Sequence, residues 1–277
     1  MKHIENKDID AILFGLRELD KKQKSIDTAR NAQLDELILL QDTPQDSNIL
    51  NIFNSNKFEF KSVGEKISLC IKYVAKFGKS LEFRKAVMTS DFSVAILENS
   101  YMNKALEKFS SVHRLYTKIH SNFNEICESV SDGVCEYGIL PIESLENGKL
   151  LRFYSLIDRY DIKINAACTV ESDDGSITQY ALVGKSEELS SELFGKANCF
   201  EFCINLRNGQ SLSDILLAAS LCGLQLSKID SLPIPYKETE YSYYLVFDIS
   251  YGEIEAFLLY MNLEFPQYST VGIFPKI

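Results

Sequence analysis

Hydrophobic and polar residues follow two different periods along this 277-residue chain. From about Asp8 to Arg84, leucine and isoleucine recur every three or four residues between charged positions, which predicts amphipathic helices. Pro44 interrupts this pattern, and a second long helix is predicted over Val63 to Arg84. We therefore expect a helical amino-terminal arm over residues 1–88.

Short apolar runs replace the helical period in the middle of the chain. The run at 93–97 is typical of a strand covered on both faces, 114–119 and 137–142 are also predicted strands, and helical stretches separate the three. This β-α-β-α-β order predicts a parallel sheet with right-handed crossovers, and Asp-Asp-Gly at 173–175 predicts a hairpin after it. We expect one α/β lobe over residues 91–188.

Residues 198–277 show strand and helix patterns in the order β-α-β-β-α-β. That order is typical of a ferredoxin-like sandwich. Polar residues at 186–196 separate this part from the lobe. The chain is thus predicted to be α/β (α+β overall), with a helical arm, a single α/β lobe and a carboxy-terminal ferredoxin-like domain.

Composition limits the partners that the chain can have. Its formal net charge is −10 and its pI about 5.0, whereas nucleic-acid binding needs clustered lysine and arginine, so we expect no nucleic-acid partner. No apolar run reaches the roughly 18 residues of a membrane helix, and the amino terminus lacks the apolar segment of a secretion signal. The seven cysteines lie mostly in apolar runs, as expected of reduced thiols in a cytoplasmic protein. Their spacing suits no metal site, and no motif suggests a cofactor.

The stretch Tyr137-Gly-Ile-Leu-Pro-Ile-Glu143 places a carboxylate near the carboxyl end of a predicted strand, the edge where open α/β sheets bind ligands. It resembles the YGVLPIENS signature of prephenate dehydratases. The strand at Ile177–Val183 resembles the one that carries the family's catalytic threonine, which would be Thr178. The resemblance implies a periplasmic-binding-protein-like lobe, with Thr178, Glu143 and Ser144 at a site for prephenate.

The sequence departs from the family pattern at three points in or between these motifs. The arginine after the family's threonine is Gln179, and the Asn-Ser after its glutamate is Ser144-Leu145. The family builds a second lobe between these motifs, but here one helix and one strand are predicted. Because prephenate is a dianion that needs cations and a closed cleft, a truncated lobe predicts reduced or lost dehydratase activity.

The ferredoxin-like part resembles the ACT regulatory domain at the end of prephenate dehydratases. Leu226–Pro233 resembles the motif LTKIESRP, and Val271–Pro275 resembles the LGSYP ending. In the family this domain binds phenylalanine between paired subunits, so the resemblance implies a homodimer. It places five residues near such an effector: Asn208, Gly209, Leu212, Asp230 and Ser231.

The helical arm resembles the chorismate mutase of bifunctional family members at Leu16-Arg17-Glu-Leu-Asp20. A mutase pocket needs several cations, yet the arginines up to residue 84 are Arg17, Arg30 and Arg84. Solvated faces of a helical dimer arm are the alternative interpretation. Two hypotheses stay open: a divergent enzyme of phenylalanine biosynthesis, or a non-catalytic amino-acid-sensing or regulatory subunit. The small-molecule ligand implied is prephenate or phenylalanine.

Overall fold

The computed structural model contains seven helices and two sheets in the part of the chain that it describes. That part comprises residues 6–39, 53, 59–78, 91–110, 114–144, 148–149, 151–171, 175–185, 197–233 and 241–277. The chain divides into two compact units, Met1–Gly78 and Lys79–Ile277. Across the described ranges, no helix is long and apolar enough to cross a membrane.

The first unit contains two helices, α1 (Asn6–Leu39) and α2 (Val63–Phe77). Ser62 caps α2, because its side chain accepts a hydrogen bond from the Glu65 backbone N–H at 3.3 Å. The helix ends at Phe77 rather than continuing to Arg84, which lies outside the described residues. Leu34 and Ile38 of α1 and four residues of α2 form the buried apolar positions: Ile67, Leu69, Cys70 and Tyr73.

The larger sheet in the second unit has the order β2-β1-β3-β6-β5, with β4 paired to β3. Its strands are β1 (Asp91–Leu97), β2 (Arg114–His120), β3 (Tyr137–Ser144), β4 (Gly148–Lys149), β5 (Lys163–Glu171) and β6 (Ile177–Gly184). The first three are parallel, as predicted, and β5 and β6 form the predicted antiparallel hairpin. The predicted third strand runs beyond Ile142 to Ser144, because a bulge after Pro141 restores the ladder that proline interrupts.

Helices cover both faces of this sheet: α3 (Ser100–Phe109) one face, α4 (Phe123–Ser131) and α5 (Leu151–Tyr160) the other. Asn99 and Asn122 cap the first two helices, each accepting a backbone N–H in the first turn. Gly138 lets α4 approach β3 closely, since a Cβ there would lie 2.6 Å from Ile126. Strands β1 and β3 are therefore largely buried, as predicted for β1, whereas the edge strand β2 exposes Tyr116 and Ile119.

The smaller sheet is antiparallel in the order β10-β7-β9-β8. It comprises β7 (Cys199–Asn205), β8 (Gln225–Pro233), β9 (Tyr241–Asp248) and β10 (Ser269–Phe274), with helices α6 (Leu212–Leu221) and α7 (Ile254–Glu264). This is the ferredoxin-like order that the sequence predicted. Stacked and tilted rings of Phe200, Phe202, Phe247 and Phe257 fill the core under the helices.

The opposite face of the smaller sheet packs on the lobe. Val271 and Phe274 join the core that contains Leu140 and Ile157, and α5 lies in this interface. The chain after β10 also pairs with β5: the Ala167 N–H donates to the Pro275 carbonyl at 3.0 Å, and the Ile277 N–H donates to the Ala167 carbonyl at 2.9 Å. The two sheets thus belong to one compact unit, and the three-domain division stays a prediction.

Candidate functional site

The three predicted catalytic residues lie on adjacent strands. Backbone pairing places Ser144 opposite Thr178 and Glu143 opposite Gln179. The register shifts between Pro141 and Glu143, and such bulges commonly re-aim side chains beside active sites. The side chains of Glu143 and Ser144 are outside the described part of the structure, so only their backbone positions enter this description.

Thr178 and Gln179 face opposite sides of the larger sheet, because successive strand residues alternate. Thr178 pairs with Val170, which belongs to the core under α3. Gln179 pairs with Thr169, and both line a cavity on the other side. The residue at the position of the family's arginine therefore faces the smaller sheet, while the threonine before it does not.

The Thr178 side of the sheet has an apolar core, and Lys108 of α3 lies near it, donating to the Thr169 carbonyl at 2.6 Å. Tyr180 lies on this face, and burial raises its pKa, with a smaller contribution from Cys168. Burial likewise raises the pKa of the Cys168 thiol to about 12. Both groups are therefore protonated at neutral pH, and neither provides a charge for a substrate or a thiolate nucleophile.

A cavity of about 650 Å³ lies between Gln179 and the smaller sheet. The larger sheet contributes Ile142, Thr169, Ile177 and Gln179, and the smaller sheet and its flanks contribute Asn198, Cys199, Glu201, Ser227, Lys228, Val246, Asp248, Phe274 and Lys276. Its volume falls in the range of roughly 300–1,000 Å³ that is common for small-molecule sites. The lining combines apolar walls with a few charged groups, as such sites usually do.

The formal charges that line this cavity cancel. Lys228 and Lys276 are the cations, and Glu201 and Asp248 are the carboxylates. Hydrogen bonds from the Ser250 side chain and backbone lower the pKa of Asp248, so this group is ionised at neutral pH. A site of this kind favours a ligand that carries charges of both signs.

Glu201 is a buried carboxylate beside this cavity, only 2% exposed. It accepts a hydrogen bond from the Tyr154 hydroxyl of α5 at 2.5 Å. Tyr154 also stacks on Tyr244 of β9, with 3.7 Å between ring centroids. A buried charge is costly unless it is hydrogen-bonded, so this network fixes α5 on the smaller sheet.

Sequence reasoning did not find these charged residues. Glu201 stands between phenylalanines in an apolar strand, and an ionisable residue at such a position is a signal that it has a paired or functional role. Asp248 ends β9 and Lys276 follows β10, so no local motif connects them. Only the folded sheet brings the three residues to one cavity.

Two of the predicted effector residues lie on an edge strand of the smaller sheet, and the other three follow its inner strand β7. Asn208 and Gly209 form an exposed turn, with Gly209 at φ +84°, and Leu212 begins α6. Asp230 and Ser231 lie on β8, an edge strand of the described sheet. A Cβ on Gly209 would meet no atom within 4 Å, so the backbone there is open to approach.

Strand register brings the turn and β8 to the same end of the sheet. Asn205, the last residue of β7, pairs with Ser242, and Ser242 pairs with Leu232. Strands β7 and β8 are two strand spacings apart, which is about 10 Å. None of the five predicted effector residues lines the large cavity, but Asp230 Oδ2 lies 3.9 Å from Nζ of Lys228, which does line it, so the two locations adjoin at β8.

In the described part of the helical unit, Arg30 is paired with a carboxylate. Arg30 Nε lies 2.7 Å from Glu65 Oε1, and the guanidinium also donates to the Glu59 carbonyl. A polar cavity of about 420 Å³ in this unit is lined by Asp27 and Glu65 together with Lys61, whose Nζ is 3.7 Å from Asp27. Carboxylates therefore outnumber lysine there, which disfavours an anionic ligand.

The cysteines behave as buried thiols. Five of the seven are fully buried, and Cys199 and Cys203 are half-buried. Burial raises the pKa of Cys199 to about 11. In the described residues, no three histidine, cysteine, aspartate or glutamate side chains are grouped to hold a metal ion.

The comparison with protein families gives one match. Residues 97–187 match the family model for prephenate dehydratase. This segment runs from the end of β1 to just beyond β6 and includes Thr178 and the bulged strand β3. The comparison with curated proteins gives no match.

Solved structures share the fold at low identity. The prephenate dehydratase from Streptococcus mutans has 19% identity and a TM-score of 0.55, over 67% of this chain and 98% of that one. The prephenate dehydratase from Staphylococcus aureus subsp. aureus Mu50 has 13% identity and a TM-score of 0.51, over 66% and 99%.

A third structure shows that this fold does not determine one reaction. GqqA, described as a novel type of quorum quenching acylase, has 14% identity and a TM-score of 0.50, over 66% of this chain and 94% of that one. Function has to be argued from the site, since one fold hosts different chemistries. Over residues 97–187 the chain resembles the prephenate dehydratase family in sequence, and its α/β architecture resembles the fold of that family's solved members.

Proposed function

We propose that this chain is a non-catalytic relative of prephenate dehydratase that binds an amino acid such as phenylalanine and acts as a regulatory subunit. One observation carries the proposal: the neutral Gln179 stands where the family has an arginine. Gln179 lines a cavity that also contains two lysines and two carboxylates, so its formal charges cancel.

Charge argues against prephenate as a substrate. Prephenate carries two carboxylates, and each charge-assisted hydrogen bond to it would be worth about 1.5–3 kcal/mol. Gln179 offers a neutral amide where the family has a guanidinium. Lys228 and Lys276 share the cavity with Glu201 and Asp248, which repel an anion.

The elements that enclose the Gln179 face of the sheet also argue against dehydration of prephenate. Positioning the reacting groups in a closed site can supply about 7–11 kcal/mol of a barrier. Between Ser144 and Ile177, the described residues form β4, α5 and β5, and all three pack within the one lobe. The Gln179 face meets the ferredoxin-like sheet, so this sheet takes the place of a second catalytic lobe.

A regulatory role suits the part of the smaller sheet that holds the predicted effector residues. The turn at Asn208 and Gly209 offers backbone N–H groups before α6, and such groups can hold a ligand carboxylate. Exposed apolar side chains lie beside β8, at Leu217 and Leu221 of α6 and at Leu226 of the strand. An edge strand flanked by apolar surface favours pairing with a second copy, so we expect a homodimer through this edge.

The helical arm fits a dimer arm better than a mutase. Five of the large apolar side chains described in α1 are each more than half exposed: Phe14, and a set of four formed by Ile12, Leu16, Leu19 and Ile26. The spacing of that set, four, three and seven residues, follows the heptad seam of a coiled coil. Arg30 is engaged by Glu65, so within the described residues this arginine is already paired with a carboxylate rather than set out for chorismate.

The second candidate is a divergent dehydratase. The family-model match over residues 97–187 favours it, and so does the backbone pairing of Thr178 with Ser144. In this version, the Thr178 face of the lobe would hold prephenate.

Turnover assays separate the two candidates. Purified chain is incubated with prephenate while phenylpyruvate is measured, and with chorismate while its consumption is followed. A dehydratase with a complete Thr-Arg motif is the positive control. We expect no product above the uncatalysed rate, and heat on titration with L-phenylalanine in a calorimeter. Turnover of prephenate would overturn the non-catalytic proposal, and absence of heat at millimolar L-phenylalanine would overturn the sensing role.

A further inference from the structure

The cavity between the two sheets has the composition of a binding site in its own right. We propose that each chain binds a zwitterionic α-amino acid with an apolar side chain inside this cavity, apart from the turn at Asn208. The inference rests on the proposed function only for the choice of L-phenylalanine as the probe. Unlike a site between paired subunits, this one is complete within a single chain.

Charged groups of both signs lie near Cys199, which lines the cavity. Lys276, Asp248 and Glu201 line the cavity together with Cys199, and all three act electrostatically on its thiol. Strand register explains this grouping, because Cys199 pairs with Asp248 on one side and with Phe274 on the other. A ligand ammonium group would meet the two carboxylates, and a ligand carboxylate would meet Lys276 and Lys228.

The remaining walls suit an apolar side chain. Ile142 and Ile177 face the cavity from the larger sheet, and Val246 and Phe274 face it from the smaller one. Thr169 and Gln179 add neutral hydrogen-bonding groups beside them. A dianion would meet two carboxylates here and a simple cation two lysines, whereas a zwitterion satisfies both signs at once.

Lys276 is held in place by the backbone around it. Its N–H donates to the Asn198 side chain at 2.8 Å, and its neighbours Pro275 and Ile277 both bond to Ala167 of β5. This pairing ties the two sheets together at the rim of the cavity. A cation on a fixed backbone loses less entropy when it binds a ligand, which favours specific recognition.

Protection of Cys199 from alkylation tests this site locally. Cys203 lies on the same strand and is also half-buried, but it lines a separate cavity of about 210 Å³, so it is an internal reference. L-phenylalanine should slow alkylation of Cys199 by iodoacetamide and leave Cys203 unchanged, as measured by mass spectrometry. Phenethylamine and 3-phenylpropionate each lack one charge, so about tenfold more of either should be needed.

Substitutions with matched controls test whether the protection of Cys199 arises from ligand bound in the cavity. Lys276→Gln should weaken protection of Cys199 about tenfold or more, because it removes one charged contact. Lys118→Gln, which changes an exposed lysine on β2, should leave protection unchanged. Full protection in Lys276→Gln would overturn the inference.

The two proposals can fail separately. Calorimetric heat with L-phenylalanine but no protection of Cys199 would overturn the cavity site and leave the sensing role standing. Protection of Cys199 together with turnover of prephenate would support the cavity site and overturn the non-catalytic role. Absence of both heat and protection would overturn the cavity site and the sensing role together.

Discussion

The two faces of the larger sheet differ in chemistry, although the same strands form both. Under α3, the core is apolar or neutral, and Thr178 lies on this side with Val170 and Tyr180. On the other side, Gln179 meets a cavity with two lysines and two carboxylates. Adjacent residues of one strand therefore lie in two environments, and a substitution such as Gln179 for the family's arginine changes only one of them.

The largest expected effect is on the face under α3. Phe109 is completely buried in the core under α3. Replacing it with alanine should lower the free energy of unfolding by about 3–5 kcal/mol, measured by denaturant titration. Tyr251→Ala is the control, since Tyr251 is 98% exposed and should change stability by less than about 0.5 kcal/mol. A similar loss in both variants would contradict the assignment of this face as a packed core.

A smaller loss is expected beside the charged cavity. Tyr154→Phe removes the hydroxyl that donates to Glu201, and withdrawing one partner from a buried carboxylate should cost about 1–3 kcal/mol. Denaturant titration measures this cost, and Tyr251→Phe is the matched control. An unchanged stability in Tyr154→Phe would show that the buried carboxylate does not depend on α5.

The pH dependence of Cys199 alkylation tests the burial of one thiol that lines the charged cavity. Burial raises its pKa to about 11, and the thiolate is the form that reacts with iodoacetamide. In the ligand-free protein, its alkylation rate should therefore rise about tenfold per pH unit up to that pKa. Because burial raises this pKa above that of a cysteine in the unfolded chain, the folded state favours the thiol. The free energy of unfolding should therefore fall as the pH rises through the pKa of the folded state. A rate that levels off near pH 8.5, about the pKa of a free thiol, would contradict this burial.

The smallest effect is expected for Thr178. Thr178→Val should change stability by less than about 1 kcal/mol, because the position is only partly buried. It should also leave protection of Cys199 by L-phenylalanine unchanged, since the hydroxyl faces away from the cavity. Lost protection would mean that the two faces act as one site.

Much of this fold was predictable from local patterns, but the site was not. Apolar runs and turn residues predicted β1, β2 and β3, the β5–β6 hairpin and the ferredoxin-like order. The bulge after Pro141 and the pairing of Ala167 with Lys276 depend on partners far along the chain. The sequence could not tell which face Gln179 meets, because that depends on how the smaller sheet packs on α5.

The most direct test is prephenate turnover by the unaltered chain beside Thr178→Ala. We expect no phenylpyruvate above the uncatalysed rate from either protein, because the side chains of Thr178 and Gln179 lie on opposite faces of the larger sheet. Phenylpyruvate formation by the unaltered chain that Thr178→Ala abolishes would contradict it.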